Sequence, residues 1–291
     1  MKDDVLEKYR EAGLIAAKIL RDGAKEIRIG TSYLEIVESI ESRVADEGAA
    51  LAFPLNLSLN EDAAHDTASP GDARVFVRGD VAKLDLGVQI DGYIADTATT
   101  IDLGVNSLLV EASRQALEAA ISIIRPGVTA GDLGMAVQTE IESRGYRPIS
   151  NLTGHGVDQY ILHRSPTIPN IGINGGVTLK EGMVFAIEPF ATTGSGHVME
   201  KPRKEIYSQI SQKPVRAPVA RAVLEKIRDR RGLPFARRWL DEKRTDIALS
   251  TLLRSQVLHV YPVLSDIPGS LVSQAEHTII VTADGCMVTT R

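Results

Sequence analysis

The chain has one cysteine, Cys286, so no disulfide can close within it and the fold calls for no oxidising compartment. It has no run of roughly 18 apolar residues, the length a membrane-spanning helix needs. Neither charge sign dominates. With 33 Lys and Arg against 38 Asp and Glu, the formal net charge of -5 argues against a dedicated nucleic-acid binder. An apolar leader is also missing, because Lys2, Asp3, Asp4, Glu7, Lys8, Arg10 and Glu11 fill the first turns, and we expect a cytoplasmic protein. What is present is 43% hydrophobic and 24% charged over 291 residues. That is a soluble globular composition, one or two domains with a sizeable core, and it excludes collagen, low-complexity disorder and coiled-coil fibres.

Apolar residues at helical spacing (Leu6, Ala12, Ile15, Ile19) predict an amphipathic helix over 3–22, ending near Gly23. A capping box at Ser32 and Glu35 opens a second helix that runs to about Glu47. Strands follow over Val81 to Ile90 and Tyr93 to Asp102, around the turn dipeptide Asp91-Gly92. Helices return at about 107–124 and 129–143, and strands around 157–163, 183–188 and 272–281. The order is helix pair and strands, then helix pair and strands. Ile27-Arg28-x-Gly30 recurs as Ile124-Arg125-x-Gly127, a match too short to establish duplication but in step with that order.

Between 208 and 266 the rhythm breaks. Helical stretches (Val219 to Arg231, Asp246 to Ser255) lie among Pro214, Pro218, Pro234 and Pro262. Lys213 to Arg244 holds eleven Lys and Arg against four Asp and Glu, a balance of +7 that leaves -12 for the remainder. We read 208–266 as an inserted helical subdomain within a body formed by 1–207 and 267–291.

If Asp91-Gly92 is a two-residue turn, Asp85 faces Ala98 and Asp96 faces Gly87. The two carboxylates are then diagonal neighbours on one face, about 7–8 Å apart, while Leu84, Leu86, Val88 and Ile90 point to the other. Two anions aimed at one place resist burial unless a cation compensates. From the hairpin alone, a solvated sheet face and a metal site both remain open. Further ligand candidates are His155 between two glycines, Glu188 at the end of an apolar run, and Glu276 leading into another. Four carboxylates and a histidine on strands or strand ends form the oxygen-rich set that two adjacent divalent cations require.

The segments Lys83-Leu84-Asp85-Leu86-Gly87 through Ile94-Ala95-Asp96, Leu152-Thr153-Gly154-His155-Gly156, Ile187-Glu188-Pro189-Phe190 and Gln274-Ala275-Glu276-His277-Thr278 resemble the methionine aminopeptidases of the pita-bread fold. Leu233-Pro234-Phe235-Ala236-Arg237-Arg238-Trp239-Leu240 resembles the insertion of the type II branch, in its short archaeal form. The resemblance covers essentially the whole chain. It implies an α+β fold, a pseudo-twofold antiparallel sheet with flanking helix pairs, plus the inserted subdomain. It also implies a metallo-exopeptidase that removes initiator methionine from nascent polypeptides before a small, uncharged second residue.

The implied ligands of two divalent cations (Co, Mn, Fe or Zn) are Asp85, Asp96, His155, Glu188 and Glu276. In the family's arrangement Asp96 and Glu276 bridge, Asp85 chelates one ion, and His155 and Glu188 complete the other. Glu188 is the implied proton shuttle. His65 and His163 match catalytic and substrate-contacting positions, and Phe53, Phe190 and Tyr261 match the methionine pocket. Ala275 departs from the family's usual Phe, and Gly156 from its Ser or Asn, without removing a ligand.

A proline-directed dipeptidase shares the five ligands but usually carries an extra N-terminal domain, for which the residues before 80 are too few. A non-catalytic binding module would not need the ligands. We expect a monomer without membrane or sequence-specific nucleic-acid contacts. The basic insertion reads either as a solvated helix surface or as a face for ribosomal RNA.

Overall fold

The computed structural model describes residues 1–240 and 244–291; Asp241, Glu242 and Lys243, counted in the charge balance above, lie outside the described residues. No described helix is long and apolar enough to cross a membrane.

Two helices, α1 (Asp3–Ala24) and α2 (Tyr33–Asp46), pack on the hairpin formed by strands Val81–Ile90 and Tyr93–Asp102. Ser32 caps α2 by a single bond, its hydroxyl accepting from the Glu35 amide. The reciprocal box closes instead at Thr129 and Asp132, at the start of the fourth helix. Asp91 and Gly92 have φ of 50° and 89°, so both central residues of the turn are left-handed, as a two-residue hairpin of matching twist requires. The register follows: Ile90 pairs with Tyr93, Gly87 with Asp96 and Asp85 with Ala98. Leu84, Leu86 and Val88 are fully buried against Ala12, Ala16, Ile19, Val37 and Ile40. One face of the hairpin is therefore apolar core, and the other is free to carry chemistry.

The second half repeats this plan. Helices α3 (Ser107–Ile123) and α4 (Ala130–Ser143) cover strands Val184–Ile187 and His277–Val281, burying Ala112, Ala116, Leu133 and Val137 against Phe185, Ile187 and Ile279. The loops before α2 and α4 match closely. The Gly30 amide donates to Phe76 O (2.8 Å) and the Gly127 amide to Leu179 O (3.0 Å), both glycines at positive φ. Ser32 then bridges to Val75, and Thr129 to Thr178. The short sequence repeat marks a real structural equivalence. The fold is the α+β, pseudo-twofold pita-bread arrangement.

Near the cavity the halves meet at a backbone bridge, Ala98 with Glu276, and through threonine hydroxyls. Thr97 Oγ1 donates to Glu276 O, Thr100 Oγ1 to Gln274 O, and Thr278 Oγ1 to Asp96 O while accepting from the Asp96 amide. The expected strand over 272–281 is interrupted here, into Val272–Gln274 and His277–Val281, with Glu276 at the break. The strand expected over 157–163 is instead the turn of a hairpin, Thr153–Asp158 with Ile161–Pro169, and Tyr160 sits at φ 56°.

Two strands escape a reading of the sequence, and the second lies inside the segment 208–266 expected to be helical. Met199–Gln209 and Leu258–Ser265 pair over most of their length. The first is charged, contains Pro202 and is bulged; the second is interrupted by Pro262. Both features mask the period-two signal. Between them, α5 (Pro218–Lys226) and α6 (Thr245–Arg254) close a small core with Tyr207, Val223, Phe235, Leu249 and Leu252. The helix expected to reach Arg231 stops at Lys226, followed by a 3-10 turn at Arg228–Arg230.

Candidate active site

Four elements deliver charge to one cavity. Asp85 and Asp96 come from the hairpin. His155 comes from Thr153–Asp158, which pairs with Val184–Ile187 so that Glu188, one residue past that strand, lies nearby. Glu276 enters from the seam, bonded back to back with Ala98, itself the partner of Asp85. All five line the same cavity. His155 Nε2 is 3.7 Å from both Asp96 Oδ2 and Glu188 Oε1. Asp96, His155 and Glu276 each offer a ligand atom within 4.8 Å of the others.

This arrangement is electrostatically unstable on its own. Burial pushes the Asp85 carboxyl up to about 7. Asp96, Glu188 and Glu276 are held well above their usual range, first by burial and then by one another's charge and that of Asp85. Asp85 Oδ1 and Asp96 Oδ1 are buried without a hydrogen-bond partner. Gln274 Nε2 donates to Glu276 Oε2 at 3.2 Å and stands 3.5 Å from Asp85 Oδ2, an amide set among these acids. Burial draws the His155 imidazole down to about 3, so it is neutral and able to ligate. Clustered carboxylates, unpartnered oxygens and a neutral imidazole fit divalent cations, whose charge would remove the repulsion. Thiolate is absent from the set, which suits first-row metals bound by oxygen and nitrogen.

His65 and His163 flank the charged group. His65 has φ 65°, in the left-handed region where His, Asn and Asp are the non-glycine residues most often found, and its Nδ1 faces Pro262 O at 3.3 Å. Burial brings it down to about 4 and also lowers His163, so both are uncharged near neutrality. The His163 ring packs edge-on to His155 (4.4 Å between centroids), and Tyr261 stands 5.4 Å from His65.

Beside the acids the cavity turns apolar, bounded by Phe53, Leu162, Ile206, Pro234 and Tyr261. Of the residues expected there, Phe53, Tyr261, His65 and His163 come together with the four acids and the His155 imidazole. Phe190 lies in the adjoining part of the same cleft, which it lines together with His65, His155, His163 and Glu188. It is fully buried with Ala63, Ile149, Val198 and Val272. Asn56, Leu162, Ile206, Pro234 and Gln274 were not singled out in the sequence. Asn56 pairs with Asp85 and Ile206 with Tyr261, so pairing with a known site residue is the signal that finds them. Leu162 precedes His163, and Pro234 depends on how the insertion folds back.

Residues 7–283 match the model of metallopeptidase family M24. Methionine aminopeptidase of Archaeoglobus fulgidus is 49% identical across the full length of both chains. That of Pyrococcus horikoshii is 50% identical over 98% of this chain and 99% of its own. The crystal structure of methionine aminopeptidase from Thermotoga maritima superposes with a TM-score of 0.75 at 26% identity, over all of this chain and 98% of the other.

Proposed function

The chain belongs to metallopeptidase family M24, among its methionine aminopeptidases, and we propose that it excises N-terminal methionine before a small, uncharged residue with two divalent cations in the cavity. The supporting observation is one cavity with a buried, self-repelling acid cluster at one end and an apolar wall at the other. Asp85, Asp96, His155, Glu188 and Glu276 would hold the cations. When bound, these ions supply a Lewis acid and a water of lowered pKa.

The chain's own residues do the rest. Glu188 retains 15% side-chain exposure against 4% for Asp96 and faces both parts of the cleft, so it is the carboxylate placed to move protons at the scissile bond. Neutral His65 and His163 can hydrogen-bond a peptide without adding charge. Phe53, Leu162, Ile206 and Pro234 offer contact area to an unbranched thioether. Metal-free protein supplied in turn with Co, Mn, Fe or Zn should cleave Met-Ala-Ser and leave Met-Lys-Ser and Leu-Ala-Ser largely intact. Efficient cleavage of either of the last two contradicts the proposed pocket.

We also propose contact of the insertion with ribosomal RNA, on a smaller face than the charge count suggests. Arg238 is buried on Glu41, Arg237 pairs with Asp246 and Arg230 is turned inward, whereas Arg221, Arg228 beside Glu225 and Arg231 over the Tyr160 ring remain exposed. Reversing those three to Glu should reduce co-sedimentation with ribosomes at low salt while solution hydrolysis stays unchanged. Undiminished co-sedimentation would mean a solvated surface.

A further inference from the structure

Arg230 ends the 3-10 turn of the insertion, just before the left-handed pair Arg231 and Gly232, at φ 51° and 94°. That turn sends its guanidinium inward, away from the basic face. Nη1 donates to Leu51 O (2.7 Å), and Nη2 to Ala52 O (2.9 Å) and Pro234 O (2.6 Å). The three carbonyls come from two parts of the chain that are 178 to 183 residues apart in sequence and meet at the cavity. Phe53, which follows Ala52, is one apolar wall; Pro234 is another. The Ala52 amide is tied in turn to Gly87 O (2.8 Å), and the Phe53 ring lies against Gly87 so closely that a Cβ there would sit 2.2 Å from Cε1.

We propose that Arg230 is a positioning residue for the apolar pocket, holding Pro234 of the insertion at a fixed distance from the backbone that carries Phe53. The proposal rests on the reading that this pocket receives the side chain of the N-terminal residue. Arg230 does not line the cavity, so it acts through the two walls. Among the described residues it forms no ion pair. A planar fork bonded to carbonyls alone fixes direction and spacing in a way that a mobile ion pair does not. Pocket width, and with it selection of an unbranched thioether over a branched side chain, then depends on the insertion and the first half together.

The test compares kcat and KM on Met-Ala-Ser and Leu-Ala-Ser for wild type, Arg230→Met and Arg230→Lys, with metal content and Tm measured in parallel. Arg230→Met keeps the length and loses the donors, and should raise KM for Met-Ala-Ser about 10-fold with kcat nearly unchanged, while the preference for Met over Leu contracts. Arg230→Lys should raise KM about threefold, since an ammonium lacks the planar fork. Wild-type KM and wild-type Met preference in Arg230→Met overturn the proposal. If that variant does not fold, the same result in Arg230→Lys overturns it. A wild-type enzyme with no preference for Met contradicts the underlying reading instead, and is seen before any variant is made.

Discussion

In the first half of the molecule, both acids sit on one continuous ten-by-ten-residue hairpin; in the second, His155, Glu188 and Glu276 sit at three separate places, two of them at strand ends. The helix pairs, the glycine turns and the bridges before α2 and α4 are otherwise equivalent. Regular pairing alone positions Asp85 and Asp96, because the period of two forces alternate residues to one face. The second half positions its ligands by interrupting regularity. It depends on the seam, where Glu276 bonds to Ala98 and Thr278 to Asp96. A local element is enough for half of a metal site, while the other half needs the tertiary fold.

The contrast can be broken from either side. Glu276→Ala and Asp85→Ala should each lower kcat/KM on Met-Ala-Ser by at least ~10²-fold and reduce bound metal, since even outer partners of ligands cost 10- to 100-fold. If either retains turnover, its half is not contributing a ligand.

Thr278→Val tests the seam. It leaves the buried Asp96 amide and carbonyl without their hydroxyl partner, so about 1–3 kcal/mol of stability should go. Activity should fall ~10-fold or more, because Asp96 loses its anchor. Chemical denaturation and steady-state kinetics read the two effects separately. Gly87→Ala should be milder and confined to the first half. The new Cβ displaces the Phe53 ring, raising KM several-fold with kcat and metal content retained.

The smallest effect expected is a pH dependence of metal stabilisation. The acids have folded-state pKa values raised above their unfolded ones, so in metal-free protein they are stable protonated at low pH and cost stability as pH rises above the usual carboxylate range, Asp85 up to about 7. Cation binding requires their ionised form. The gain in Tm on adding metal should therefore be larger at pH 7.5 than at pH 5.5, by a few degrees. Equal gains would mean that these carboxylates are not the ligands.

The same contrast explains what was legible beforehand. The hairpin register, and with it Asp85 and Asp96, follows from one turn dipeptide and alternation. The helix pairs follow from periodicity and caps. His155, Glu188 and Glu276 stand out as candidates by their place beside glycines and apolar runs, but their convergence is readable only through resemblance, because nothing local says that a glutamate after a strand and another at a strand break will meet. The walls of the apolar pocket were the least legible. Ile206 and Tyr261 lie on strands whose charges, bulges and prolines hide them, and Pro234 reaches the cavity only through the folding of the insertion. Phe190 packs with Ala63 and Ile149 while bordering the part of the cleft beyond Glu188.

The central claim is that both halves contribute ligands to one centre on which hydrolysis depends. Titrating metal into chelator-stripped protein, with calorimetry and Met-Ala-Ser hydrolysis followed on the same samples, tests it most directly. The account predicts two equivalents per chain, activity that rises with occupancy, and loss of both in Glu276→Ala and Asp85→Ala alike. Full activity without metal, or an unchanged isotherm in either variant, would contradict it.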